Sequence, residues 1–124
     1  MRIYLSGRLR LRGQLRLDRE TLLEAGHVST ARWLDDVGGE PAAIAARDFA
    51  DIDKAAVIIL RGHCGRNGGL MAEVGYGLAK GKRVIHVASE RDPREAFLWA
   101  DGVVHVRSFR EALDVLKVRP AVAA

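Results

Sequence analysis

The chain predicts an α/β fold, a mainly parallel sheet covered by helices on both faces, and three observations carry that prediction. Strand-like and helix-like segments alternate from end to end, the order that βαβ units require. Two strand-length runs, Ala56 to Leu60 and Arg83 to Ala88, are apolar almost throughout instead of alternating, as strands buried on both faces must be. Glycines punctuate the joints, at Gly7, Gly26, Gly38-Gly39 and Gly81.

Taken in order, Arg2 to Ser6 reads as a first strand ending at Gly7. Leucines then recur from Leu9 to Leu23, and the later ones suit a helix from about Gly13 to Ala25, stopped by Gly26 just past its end. His27 to Leu34 reads as a second strand, and Asp35 to Glu40 as a turn-rich loop. Pro41 suits a first helical position, and Ala46, Phe49 and Ile52 give the apolar spacing of a helix reaching Lys54. Ala56 to Leu60 is the third strand. Arg66 to Val84 reads as a glycine turn, a short helix with Glu73 in its first turn, and a second glycine turn into the fourth strand. Pro93 to Ala100 predicts a short helix, Val103 to Val106 a fifth strand, and Phe109 to Leu116 a closing helix. One domain over 1–120 results, with a patternless tail at 121–124 expected to fray.

A chain of 124 residues holds one core. Its 48% apolar and 29% charged content is that of a globular protein, and its apolar runs are too short to span a membrane. Met1 leads straight into a strand with no signal peptide, and the single cysteine, Cys64, has no internal partner. Both features suit a cytoplasmic protein. The formal charge of +4 is concentrated in Arg8, Arg10, Arg12, Arg16 and Arg19. Such a segment fits nucleic acid or a small phosphorylated ligand. Few aromatics lie among these arginines to stack bases, so the small ligand is preferred.

In parallel sheets ligands bind beyond the carboxyl ends of the strands. That brings together Ser6-Gly7-Arg8, the segment after Leu60, and whatever follows Val87. Gly7 permits close approach of a ligand, while Ser6 and Arg8 offer donors for a phosphate or sugar hydroxyl. No G-x-G-x-x-G follows the first strand and no Walker lysine follows Gly68-Gly69, which argues against a nicotinamide or ATP site. Glu73, at a helix start beside that glycine loop, would be ionised and open to a ligand, hence placed as a nucleophile. Its plainer role is a helix-start acid. Trp33 reads as core, although it could line a pocket. His63 and Cys64 are adjacent and lack metal-ligand spacing, so both read as incidental.

Three segments together resemble a known family: I-Y-L-S-G-R at 3–8, A-R-D-F-A-D-I-D-K-A-A-V-I-I-L at 46–60, and G-G-L-M-A-E-V-G-Y-G-L-A-K-G-K-R-V at 68–84. In motif, order and spacing the chain resembles the nucleoside 2-deoxyribosyltransferases and the related 2′-deoxynucleoside 5′-phosphate N-hydrolases. The resemblance implies a flavodoxin-like (Rossmann-like) three-layer sandwich and cleavage at the N-glycosidic bond of a deoxynucleoside or its monophosphate. It makes Glu73 the nucleophile, Asp48 the acid near the leaving base, and Tyr4 a contact of the nucleophile. Asn67, with Gly68 and Gly69, falls at the sugar 5′ end, beside Ser6, Gly7 and Arg8. A homodimer is implied, and neither a metal nor an organic cofactor is.

That chemistry is consistent with the residue types. Breaking C1′–N builds oxocarbenium character on the sugar and negative charge on the base. One carboxylate can capture the first, and a second carboxyl can protonate the departing base. The chain also departs from the family pattern. Ala56 stands where many members have an aspartate, and 89–101 contains no asparagine to serve as the carboxamide that the transferases lend to a neighbouring subunit. These departures and the arginine-rich first loop lean toward hydrolysis of a 5′-monophosphate. They also keep open a non-catalytic nucleotide-binding module of the same fold. A phosphoribohydrolase of the lysine-decarboxylase-like type fits less well, because its P-G-G-x-G-T pattern is missing.

Overall fold

The structure, a computed structural model, describes residues 1–64 and 67–118; the tail expected at 121–124 lies outside them. Its strands are β1 (Arg2–Gly7), β2 (Val28–Ser29), β3 (Val57–Arg61), β4 (Arg83–Val87) and β5 (Val103–Val106), and its helices are α1 (Arg12–Glu24), α2 (Pro41–Lys54), α3 (Gly68–Ala79) and α4 (Phe109–Lys117). All strand pairs are parallel, in the order β2-β1-β3-β4-β5. This is the flavodoxin-like α/β layout expected from the sequence. The order reverses between β1 and β3, and at that switch point a crevice opens beyond the strand ends.

The apolar runs become the middle of the sheet: Ile58, Ile59, Leu60, Val84 and Ile85 are fully buried. A Cβ on Gly7 would point at Leu15 of α1, whereas the neighbouring Ser6 bonds to Glu73 of α3. Successive side chains of a strand face opposite ways, so α1 and α3 cover opposite faces. α2 packs on α3. α4 shares the α1 side, its Phe109 lying under the guanidinium of Arg61, which also pairs with Asp18 of α1. How closely α3 rests on the sheet is set by Gly77, where a Cβ would fall 2.3 Å from Cδ1 of Ile58.

Three segments differ from the sequence expectation. The second strand, expected over His27 to Leu34, is only Val28–Ser29, and Arg32–Leu34 forms a 3-10 turn. Side chains replace the ladder there. Thr30 Oγ1 donates to the Asp51 carbonyl at 2.8 Å, and the Arg32 amide donates to Asp51 Oδ2 at 3.0 Å. The helix expected over Pro93 to Ala100 is a 3-10 turn at Ala96–Trp99, because Asp92 draws in the Arg94 amide at 2.9 Å and turns the chain. Gly68 and Gly69 are not a turn but the first residues of α3, capped by Asn67, whose Oδ1 accepts from the Leu70 amide at 3.0 Å. Glu73 therefore sits in the second turn of its helix, not the first.

The basic segment is largely spent inside the fold. Arg12 and Arg16 both donate from Nε to the Leu34 carbonyl, at 2.7 and 2.8 Å, and Arg19 pairs with Asp35 at 2.7 Å. Among the described residues no helix is long and apolar enough to cross a membrane.

Candidate active site

A cavity of about 510 Å³ opens at the β1/β3 switch point. Tyr4 and Gly7 of β1 and the following Arg8 line it, as do Gly69 and Glu73 of α3 and its N-cap Asn67. The opposite wall is formed by α2, chiefly Pro41, Ile44, Ala45 and Asp48, and Trp33 and Val37 also border the cavity.

Glu73 is the centre of this arrangement. The Tyr4 phenol donates to its Oε2, and the Ser6 hydroxyl donates to its Oε1 at 3.0 Å. Tyr4 and Ser6 lie two apart on β1 and so present their hydroxyls on one face, while Glu73 reaches them from α3. Burial pushes the Glu73 carboxyl up to about 7, against the pull of the two hydroxyl donors, and nearby Asp48 adds to the rise. Glu73 is half-buried at the cavity wall, and the burial that lifts its carboxyl sets it apart from the permanently ionised acid that its sequence position suggested. Tyr4 is held protonated, first by burial and then by the adjoining Glu73 carboxylate.

Asp48 lines the cavity opposite Glu73's helix. Its Oδ1 accepts from Nε and Nη2 of Arg47, both at 3.3 Å. Burial raises its pKa and the Arg47 charge opposes the rise. The neighbouring acids are engaged elsewhere. Asp51 accepts from the Arg32 side chain at 2.9 Å, and Asp53 from the Tyr76 hydroxyl at 2.7 Å. Neither lines the cavity.

At the other end, Arg8 donates from Nη2 to the Cys64 carbonyl at 2.9 Å, and its buried Nε has no partner among the described residues. Gly69 and Asn67 lie beside the cavity, but Gly68 does not line it. Ser6 is fully buried and also stands outside the lining, its hydroxyl being directed at Glu73. At Gly7 a Cβ would come within 2.8 Å of Leu15 Cδ1 and 3.3 Å of the Arg61 carbonyl, so a side chain there would have to displace Leu15.

The segment after Val87 does not line the cavity. Trp33 combines its two readings: its indole N–H donates to the Leu5 carbonyl at 2.8 Å, and the buried ring borders the cavity. Of the α2 wall, sequence reasoning named Asp48 but missed Pro41, Ile44, Ala45 and Arg47. Pro41, Ile44, Ala45 and Asp48 recur at i, i+3, i+4 and i+7, a one-face spacing that was there to be found. Cys64 is buried and its thiol pushed up to about 11 by burial, which makes it inert. Among the described residues no cluster of histidine, cysteine and acid side chains could hold a metal ion.

No family model and no curated protein sequence matches the chain. Solved structures do share its fold. The CMP N-glycosidase of Clostridium botulinum superposes with a TM-score of 0.64 at 18% identity, over 94% of this chain and 98% of that one. The 2-deoxyribosyltransferase of Bacillus psychrosaccharolyticus gives 0.70 at 14% identity, over 92% and 91%. The 2-deoxyribosyltransferase of Leishmania mexicana gives 0.62 at 19% identity, over 82% and 75%.

Proposed function

We propose that this chain cleaves the N-glycosidic bond of a 2′-deoxynucleoside or its 5′-monophosphate, with Glu73 as the nucleophile. The observation that carries the reading is the Glu73 carboxylate, held at both oxygens by Tyr4 and Ser6 in the cavity at the sheet's switch point. Fold neighbours that act at nucleoside or nucleotide N-glycosidic bonds support it.

In this reading one oxygen of ionised Glu73 bonds to C1′ as the C1′–N bond breaks, and that bond's electron pair leaves with the base. Asp48, whose pKa is raised by burial, supplies a proton or hydrogen bond to the departing nitrogen. The product is a glycosyl ester on Glu73. Water, or a second base, then attacks C1′ from the opposite side, gives up its proton to the Asp48 carboxylate, and returns the Glu73 carboxylate as the ester C–O bond breaks. Arg8 borders the cavity, and its guanidinium favours a phosphate on the sugar's 5′ oxygen. That preference, and the absence of an asparagine in 89–101, favours hydrolysis over base exchange.

Incubation with the common deoxynucleosides, their 5′-monophosphates and CMP, with and without a second base, tests the proposal by chromatography of released base and exchanged nucleoside. Release by the wild type, abolished in Glu73→Ala with ligand binding kept, supports it. Binding without release from any of these substrates would instead identify a non-catalytic nucleotide-binding module.

A further inference from the structure

Ser6 stands apart from the other polar residues near the cavity. It is fully buried, does not line the space a ligand would fill, and gives its one hydrogen to Glu73 Oε1 at 3.0 Å. Tyr4 and Glu73 both border the cavity, so Ser6 grips the carboxylate from its far side. We propose that Ser6 is a positioning residue for Glu73, fixing the plane of its carboxylate and holding one oxygen in reserve through the reaction. The inference rests on the assignment of Glu73 as nucleophile.

The physical case is one of non-equivalent oxygens. A carboxylate free to rotate about its side-chain bonds presents its lone pairs in many directions, and each rotor fixed in advance removes an entropic part of the barrier. Two donors on alternate residues of one strand remove that freedom together. When one Glu73 oxygen bonds to C1′ and the base departs with the C1′–N pair, the other oxygen becomes the ester carbonyl. That oxygen still needs a donor, and a buried hydroxyl requiring no rearrangement supplies it. Ser6 also opposes the burial that raises the Glu73 carboxyl. The other groups facing that carboxyl are Tyr4 from β1 and Asp48 from α2, the latter paired with Arg47; Arg8 borders the same cavity.

The test is a carboxyl titration of the full chain labelled with 13C-glutamate, with the Glu73 signal assigned by its loss in Glu73→Gln. In Ser6→Ala the Glu73 midpoint is expected to rise by about one pH unit, the effect of losing a hydrogen bond to a charged group. In turnover, kcat falls about tenfold, KM changes little and the acid limb moves with the midpoint. Ser6→Cys, a weaker donor of similar size, falls between the two and serves if Ser6→Ala does not fold. A Glu73 midpoint unmoved in both variants overturns the proposal, whatever happens to melting temperature. A moved midpoint in a protein that turns over nothing supports the clamp and fails only the nucleophile assignment.

Discussion

The phenol of Tyr4 donates to Glu73 Oε2, joining the first strand to the third helix at the wall of the cavity. Removing that donor takes a charge-assisted bond from the ionised form of Glu73, worth about 1.5–3 kcal/mol. Tyr4→Phe is therefore expected to lower kcat by about ten- to a hundredfold, with KM little altered, and to raise the pH at which activity appears. Steady-state rates across pH check this.

With Glu73 as the proposed nucleophile, activity and stability are expected to move in opposite directions with pH. Its folded pKa, about 7, lies above the ordinary glutamate value of about 4.5. The stability that this group contributes is complete below about pH 4.5 and is lost as pH rises through 7. The loss is of the order of 1–3 kcal/mol, the upper figure ignoring water in the open cavity. Turnover needs the ionised form and should rise through the same range. Glu73→Gln is thus expected to melt higher than wild type at pH 8 and nearly equal to it at pH 5, with no base release at either. Paired thermal melts at the two pH values measure it.

Asp48 is cast as the group that assists the departing base. Asp48→Asn is expected to cost about 10²–10⁴-fold in kcat on ordinary bases. On a substrate whose leaving group needs no proton, the cost should nearly vanish. Equal losses on both kinds of substrate would assign Asp48 to binding instead.

Gly75 and Gly77 lie two residues apart in α3, yet substitutions there should have opposite signs. A Cβ at Gly75 meets nothing within 4 Å, whereas one at Gly77 lies 2.3 Å from Ile58 Cδ1. Gly75→Ala is expected to stabilise by up to about 1 kcal/mol through helix propensity. Gly77→Ala should destabilise by about 1–2 kcal/mol, the overpacking outweighing that same gain. Denaturant titration of both variants, and of Gly77→Ala with Ile58→Val as partial rescue, checks the pair.

The sheet was legible because its central strands are apolar on both faces, and only full burial explains runs such as Val57 to Leu60. β2 was overestimated for a matching reason. Ala31, Trp33 and Leu34 extend an apolar run past Ser29, but Asp51, distant in sequence, captures the backbone there. Such a partner leaves no periodic trace. At the site, the identity of Glu73 could be read from its motif, but not its surroundings. Two glycines before it suggested a turn and hence an exposed helix start; Asn67 caps the helix earlier and turns Glu73 inward against β1. The donation from Ser6 depends on strand register and helix rotation together, which residue spacing alone does not specify.

Peptide mass spectrometry after acid quench tests the central claim most directly. A 2-fluorinated nucleoside 5′-monophosphate is the suitable probe, since fluorine destabilises oxocarbenium character and slows breakdown of a glycosyl ester. The account predicts stoichiometric release of base together with a fluorosugar adduct on the side chain of Glu73. Base release with the adduct on Asp48, or with none at all, would contradict it.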